Sequence, residues 1–144
     1  MPVDRLQTEA WLLRGISSIP GQLRLRSGSL SFTCTGTGTA WPFQFRKLGR
    51  EFGQPRIAES VLAGEPFELF RWLATDVHAH APWYYFSGGI KLSHQGRQLR
   101  FSFGRPTTGR RGLANAAADW KEAKLMRGRG RLWLDVLTGA EREV

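Results

Sequence analysis

Asp76, His78 and His80 are the residues whose types and spacing come closest to a metal-ligand set. They alternate along the chain, so all three side chains would project from one face of a β-strand. A carboxylate with two imidazoles is a known ligand combination for a metal ion. However, same-side residues of a strand lie about 6.5–7 Å apart, and no further ligand cluster supplements these three. The favoured interpretation is therefore ordinary strand residues with no cofactor, and a metal site is the alternative.

Cys34 is the single cysteine, so the chain cannot form an internal disulfide. It shares strand parity with Leu30 and Phe32, which predicts a buried structural thiol rather than a nucleophile. The sequence also lacks the G-x-S-x-G, H-E-x-x-H and dinucleotide-binding motifs. The glycine-rich segment Thr35–Thr39 lacks the GK[ST] ending of a phosphate-binding loop. These observations favour a protein that is not an enzyme.

The formal charge of +9 is unevenly distributed along the chain. No acidic residue occurs in the stretches 10–50 and 77–118, and most carboxylates lie between Glu51 and Asp76 or after Ala118. If these stretches form the sheet, folding gathers cations on one side of the molecule, where they attract anionic partners over long range. The predicted anion-binding residues are Arg24, Arg26, Lys91, Arg97 and Arg100. The alternative is that these are solvated side chains whose stems cover apolar surface.

Trp83, Tyr85 and Lys91 share one face of a predicted strand. Aromatic rings beside a cation stack on nucleic-acid bases or insert at a membrane interface. This pattern makes single-stranded nucleic-acid binding the alternative function. The favoured interpretation is that the rings supply core area where the sheet is covered on both faces.

The segment Pro82–Phe103 predicts a β-hairpin and determines the expected fold class. Apolar and polar residues alternate on both of its arms, which is the period of a strand rather than of a helix. Ser93–Gly96 is the predicted loop, because Gly96 accepts positive φ. We expect His94, within this loop, to face solvent.

A second hairpin is predicted earlier in the chain, with Gln22–Arg26 as one strand and Ser27-Gly28 as the turn into Leu30–Cys34. A strand at Trp11–Ile16 precedes it and is expected to end in a turn at Ser17–Gly21.

The region Trp41–Gly64 supports two interpretations. Alternating aromatics favour a strand at its start, whereas Pro42 favours the first turn of a helix. A short helix is predicted over Pro55–Ala63, with Gly64 as its C-terminal cap.

From Leu113 onward the apolar residues recur at helical spacing, so an amphipathic helix is expected to cover the sheet. Arg127–Arg131 alternates arginine with glycine and predicts a basic turn before a second short helix. The shared parity of strands and helix predicts one core. Its expected members are Phe32, Phe86, Leu99, Phe101 and Trp120.

This succession of hairpins followed by one helix resembles the pleckstrin-homology-like superfold, more particularly its GRAM-type branch. Gly21–Phe32 is similar to the opening hairpin of that branch and Ile90–Phe103 to its later hairpin. The resemblance implies a partly open antiparallel barrel or sandwich of about seven strands, capped by a C-terminal amphipathic helix. In members that bind phosphoinositides it also implies basic residues around the first loop, to which Arg14, Arg24 and Arg26 are a loose match.

These inferences predict one domain over residues 1–144 that acts as a non-enzymatic binding or adaptor module. Its basic face is expected to meet an anionic phospholipid surface or an acidic protein segment. Single-stranded nucleic-acid binding is the first alternative, and a metal-dependent enzyme using Asp76, His78 and His80 is the second. The chain has no signal-peptide pattern and no run of about 18 apolar residues, so we expect no transmembrane segment. The single cysteine favours a cytoplasmic location, with any membrane contact peripheral.

Overall fold

Seven strands form one antiparallel sheet in the computed structural model, which describes residues 5–81, 88–104 and 116–142, with helix side chains described over 124–139 in the last segment. The strands are β1 (Arg5–Arg14), β2 (Ser17–Arg26), β3 (Ser29–Cys34), β4 (Phe67–Leu73), β5 (His78–His80), β6 (Gly89–His94) and β7 (Arg97–Ser102). Their order is β4-β3-β2-β1-β7-β6-β5, so the sheet is open, with β4 and β5 at its edges. The helices are α1 (Pro42–Phe52), α2 (Ile57–Leu62) and α3 (Ala116–Arg142), with a 3-10 turn at Ala74–Asp76. The predicted mainly β architecture with a C-terminal helix is confirmed.

A two-residue turn joins the two strands of each of the three hairpins in the sheet. Ser27-Gly28 joins β2 to β3 with φ of 51° and 80°, and Gln95-Gly96 joins β6 to β7 with φ of 50° and 79°. Positive φ at both central residues matches the twist of the strands, so the ladders continue up to the turn. The predicted four-residue loop at Ser93–Gly96 is therefore wrong, because Ser93 and His94 still pair with β7.

The predicted turn at Ser17–Gly21 is also wrong, because these residues begin β2 and the chain turns at Gly15-Ile16 instead. Gly15 supplies the positive φ of 60°. Pro20 is tolerated inside the strand for a local reason. Its carbonyl oxygen accepts a hydrogen bond from Thr35 N at 3.0 Å, so the position of its missing N–H faces the end of β3 and not the ladder with β1.

The inner face of the sheet forms the core. Phe32 lies at its centre, with its ring over Gly21 of the neighbouring strand and edge-to-face with Phe101 at 4.9 Å between centroids. A Cβ at residue 21 would collide with the Phe32 ring, so the close approach requires glycine. Phe32, Leu99 and Phe101 are buried as predicted. Phe86 and Trp120, assigned to the same core, lie outside the residues whose side chains are described.

The two helices between β3 and β4 resolve the region that the sequence left open. Pro42 occupies the first turn of α1, while Phe45 and Leu48 on the next turns are fully buried. Their spacing of three residues places both on the core side of a helix, so the alternation of aromatics does not produce a strand. The short helix predicted over Pro55–Ala63 is confirmed as α2.

A single helix runs through Arg127–Arg131, so the turn predicted there is wrong. Glycine in a helix interior costs about 1 kcal/mol relative to alanine, but burial of a large side chain contributes more than that. Trp133 and Leu137 follow this segment at helical spacing and are fully buried, and Gly130 on the same side is buried with them. Trp133 stacks on Phe103 with 6.4 Å between centroids, which fixes α3 against the sheet.

Candidate functional site

The turn between β1 and β2 lies beside the N-terminal end of α1, and one side chain links the two. The Oε1 atom of Gln44 accepts hydrogen bonds from the hydroxyl of Ser17 at 3.1 Å and from the backbone N–H of Trp41 at 2.7 Å. Ile16 precedes Ser17, so this link brings the exposed tip of the first hairpin close to the start of the helix. Two elements separated by some 25 residues thereby share one surface.

Three large apolar side chains are exposed on this surface. Ile16 is 98% exposed, Trp41 66% and Phe43 59%. Scattered apolar residues are common on protein surfaces, but a group supplied by separate elements is a candidate interaction site. Because most of their apolar surface remains in water, these three side chains contribute little hydrophobic free energy to folding.

The solvent side of α1 is basic. Phe43, Arg46, Lys47 and Arg50 follow the spacing i, i+3, i+4 and i+7, so they lie along one face of the helix, opposite the buried residues. The first turn of α1 contains no acidic residue, although its helix dipole would favour one there. Only Arg50, in the last turn, gains from the dipole. The charge of this face is therefore not explained by helix stability.

A cavity of about 380 Å³ separates α1 from the ends of β1 and β7. Lys47 and Phe43 line it from the helix, and Arg100 lines it from the sheet. Arg14 also lines it, but its Nη2 donates hydrogen bonds to both carboxylate oxygens of Glu51, at 2.9 and 3.0 Å. In the described part of the chain neither Lys47 nor Arg100 has an ion-pair partner. We call this surface the turn-end patch and define it by Ile16, Trp41, Phe43, Arg46, Lys47 and Arg100.

The structure separates the five cations predicted to bind an anion. Lys91 and Arg100 are direct cross-strand partners on the outer face of the sheet. Arg97 shares strand parity with the buried Leu99 and therefore lies on the opposite face of β7 from Arg100. Strand parity alone already separates Arg97 from Arg100, because Arg97 alternates in step with Leu99 and Arg100 does not.

Arg24 and Arg26 lie far from Arg100. Arg24 pairs with Gln7 of β1, whereas Arg100 pairs with Leu13, and six residues of a strand span about 20 Å. Arg26 is directly opposite Arg5, which gives a cross-strand pair of like charges. We call Arg5, Arg24 and Arg26 the open-end cluster, since they surround the end of the first hairpin that is remote from its turn.

Asp76, His78 and His80 do not form the strand set that their spacing suggested. Asp76 belongs to the 3-10 turn, and only the two histidines belong to β5, where both are exposed. Within residues 5–81, 88–104 and 124–139, no group of three His, Cys, Asp or Glu side chains is placed to hold a metal ion. A helical turn breaks the alternation that a strand would need, so the three side chains do not share one register.

Cys34 is fully buried in the core, and burial raises the pKa of its thiol to about 12. A thiol that stays protonated at neutral pH is a poor nucleophile. This environment agrees with the predicted structural role.

His94 was expected to face solvent, and that expectation is wrong. It is half-buried and stacks on Trp72 of β4, with 4.1 Å between centroids and an interplanar angle of 6°. Arg97, its cross-strand partner, lies over the ring of Phe52 at 4.6 Å. The tip of the β6–β7 hairpin therefore reaches across to β4 and the end of α1, although no ladder joins these strands.

Sequence reasoning missed Ile16, Trp41, Phe43 and Lys47 as members of a site. The i, i+3, i+4 spacing of Phe43 with Arg46 and Lys47 was a usable signal, given that Pro42 can open a helix. Trp83 and Tyr85, the aromatics that were considered instead, lie outside the described residues. No helix in the described ranges is both long and apolar enough to cross a membrane. No protein-family model matches this chain, and no curated protein matches its sequence.

Proposed function

We propose that this protein is a non-enzymatic binding or adaptor domain that docks on anionic phospholipid surfaces through the turn-end patch. The observation that carries the proposal is the grouping of Ile16, Trp41 and Phe43, all exposed, with the unpaired cations Lys47 and Arg100. Exposed apolar tips surrounded by cations match the two components of an anionic bilayer surface, which are its acyl boundary and its charged headgroups.

Apolar insertion is the first component of the binding energy. Trp41 and Phe43 lie at the start of α1, and aromatic rings favour the headgroup region of a bilayer. Withdrawing on the order of 100 Å² of apolar area per ring from water contributes roughly 2 kcal/mol. Ile16, at the hairpin tip, adds a third contact from a different element.

Electrostatic attraction is the second component. Each Lys or Arg near an anionic leaflet contributes about 1 kcal/mol, and Arg46, Lys47 and Arg100 all lie beside the apolar tips. The cavity between Lys47 and Arg100 offers a place for a headgroup phosphate. Each contribution alone is weak, and stable anchoring to membranes generally requires two signals.

The same patch argues against the other partners expected from charge alone. An acidic protein segment or a nucleic acid would use the cations but leave Ile16 unexplained, because neither offers an apolar layer at that point. A pleckstrin-homology-like relationship is part of this proposal. It is supported by the meander of consecutive hairpins and by the C-terminal helix against the sheet.

Vesicle flotation tests the proposal. We expect the protein to float with vesicles of phosphatidylcholine and phosphatidylserine, to float poorly with phosphatidylcholine alone, and to be released as salt screens the attraction. The double variant Trp41→Ser with Phe43→Ser should bind at least about hundredfold more weakly, because it loses most of the apolar contribution.

The matched control is Leu62→Ser with Leu73→Ser, which removes two exposed apolar side chains outside the patch. Its vesicle binding should equal that of the unmodified protein. Equal losses in both double variants would show that general surface hydrophobicity is responsible. Absence of flotation at low salt, together with binding to an oligonucleotide or an acidic peptide, would replace the lipid surface with that partner.

A further inference from the structure

A second cavity, of about 420 Å³, lies between β4, the end of α1 and the tip of the β6–β7 hairpin. It is separate in composition from the turn-end patch, since none of the patch residues lines it. Polar side chains contribute to its lining, among them Gln54, Gln95 and Arg71. We call it the hairpin-tip cavity.

Two hydrogen-bonding groups in this cavity are held by aromatic stacking. His94 stacks on Trp72, and the guanidinium of Arg97 lies on Phe52. Trp72 itself stacks on Phe70 with 3.9 Å between centroids, so the platform continues into the core. Both groups are thus oriented by rigid rings rather than by flexible polar partners.

Stacking on Trp72 uses the face of the His94 imidazole and leaves its edge available, and the cation–π contact of Arg97 with Phe52 does not use the N–H donors as hydrogen bonds. The N–H donors of a guanidinium and the nitrogens of an imidazole lie in the plane of the group. Among the described residues neither the His94 imidazole nor the Arg97 guanidinium has a hydrogen-bond or ion-pair partner. A binding site for a hydrogen-bond acceptor requires N–H donors that are oriented and have no partner within the protein.

The charges around the cavity favour an anionic ligand. Glu51 is the one carboxylate among the described lining residues, and its charge is neutralised by Arg14. Arg71 is paired with Glu68 at 2.9 Å, so it retains little free charge. Arg97 is therefore the uncompensated cation of the cavity.

We infer that the hairpin-tip cavity binds a small oxyanion, the carboxylate or phosphate group of an organic metabolite, with Arg97 and His94 as its principal ligands. A fork of parallel N–H donors fits the two oxygens of such a group. The volume matches a small molecule and not a macromolecule. Arg97 lies on the opposite face of β7 from Arg100, while the Arg14–Glu51 ion pair joins the linings of the two cavities.

Citrate and inorganic phosphate serve as probes of the two oxyanion chemistries in NMR titrations of the ¹⁵N-labelled protein at constant ionic strength. Titration up to about 20 mM covers the millimolar affinities of small anions. We expect saturable shifts of the Arg97 Nε–H and of the backbone amides of Trp72 and Gln95 with at least one probe. The probe with the lower dissociation constant identifies whether carboxylate or phosphate is preferred.

Matched variants identify the ligands. Arg97→Gln should raise the dissociation constant at least about tenfold, whereas Lys91→Gln removes the same charge from the outer face of β6 and should leave it unchanged. His94→Phe keeps a ring on Trp72 but removes both nitrogens, and should weaken binding several-fold. Arg97→Lys keeps the positive charge but lacks the planar guanidinium group. It replaces Arg97→Gln as the test of Arg97 if Arg97→Gln does not fold.

The inference is overturned by shifts that remain linear with both probes, which indicate non-specific screening. It is also overturned if Arg97→Gln and Lys91→Gln weaken binding equally, because the anion would then sense only net charge. Retained saturable binding in Arg97→Gln and Arg97→Lys would exclude Arg97 as a ligand.

Discussion

The two ends of the β1–β2 hairpin both carry cations, but they differ in what accompanies the charge. At the turn, Lys47 and Arg100 lie beside exposed apolar side chains. At the other end, about 30 Å away along β1, Arg5 and Arg26 face each other. Leu73 is exposed in the same cross-strand row, two strands from Arg26, as a lone side chain rather than as one of a group of three. Net charge alone does not distinguish these surfaces. The group of three apolar tips does, and it is the reason that we propose membrane docking at the turn end.

The core beneath both ends is shared, and its disruption should have the largest effect. Phe101→Ala should reduce the free energy of unfolding by about 3–5 kcal/mol, because the ring is fully buried against Phe32. Urea denaturation of this variant beside the unmodified protein provides the measurement. A loss below about 0.5 kcal/mol, the range of surface substitutions, would contradict the assigned core face.

Reversing charge at each end in turn tests the comparison directly. Lys47→Glu with Arg100→Glu should weaken vesicle binding by about 4 kcal/mol, or about thousandfold, since two attractions become repulsions of about 1 kcal/mol each. Arg24→Glu with Arg26→Glu changes the net charge equally at the open end. Binding of that variant in the same flotation assay should change by less than about threefold.

Equal losses in the two charge-reversed variants would mean that the vesicle senses total charge, and the distinction between the ends would fail. A melting temperature is needed for each, because an unfolded fraction would mimic weaker binding. We expect both variants to melt near the unmodified protein, since exposed substitutions usually change stability by about 0.5 kcal/mol or less.

The open end should also show a small gain in stability on charge reversal. Arg26→Glu places a carboxylate opposite Arg5, and a cross-strand pair of opposite charges contributes about 0.2–1 kcal/mol. Arg24→Glu is the matched control, because its partner Gln7 is neutral and already bonded to Arg24 Nε at 3.1 Å. A urea titration in which Arg26→Glu is less stable than Arg24→Glu would contradict the register.

The thiol of Cys34 should stay protonated at neutral pH, so it should not affect the pH dependence of stability there. Burial raises the pKa of its thiol from 9.0 to about 12, so the unfolded chain releases the proton first as pH rises. The associated stability is fully present below pH 9 and is lost as pH rises toward 12. The variant Cys34→Ala should therefore lose less stability between pH 8 and about pH 10.5 than the unmodified protein, measured by urea denaturation. Identical slopes would mean that water reaches the thiol.

Local patterns were sufficient for most of the sheet. The alternation in Gln22–Arg26 and in Arg97–Ser102 identified strands and their inner faces, because parity in a strand is fixed by backbone geometry. The turn predicted at Ser17–Gly21 was wrong, because the ladder between β1 and β2 continues through these residues, Pro20 included. The glycines of Arg127–Arg131 misled because packing of Trp133 outweighs local helix propensity.

The candidate site was less accessible to sequence reasoning. The acid-free stretches correctly indicated basic surfaces, but the five cations chosen are divided among two faces and two ends of the sheet. Asp76, His78 and His80 show the same difficulty, since a single 3-10 turn removes the register that their spacing assumed.

By itself the sequence determined the strand periodicity, the positive charge and the inert character of Cys34, because each depends on residues close in the chain or on composition. Only the tertiary structure decided that Ser17, next to Ile16, bonds to Gln44 at the start of α1, and that His94 and Arg97 reach Trp72 and Phe52. These contacts join segments distant in the chain. They follow from strand order and helix placement, which depend on how the whole core packs rather than on any local pattern.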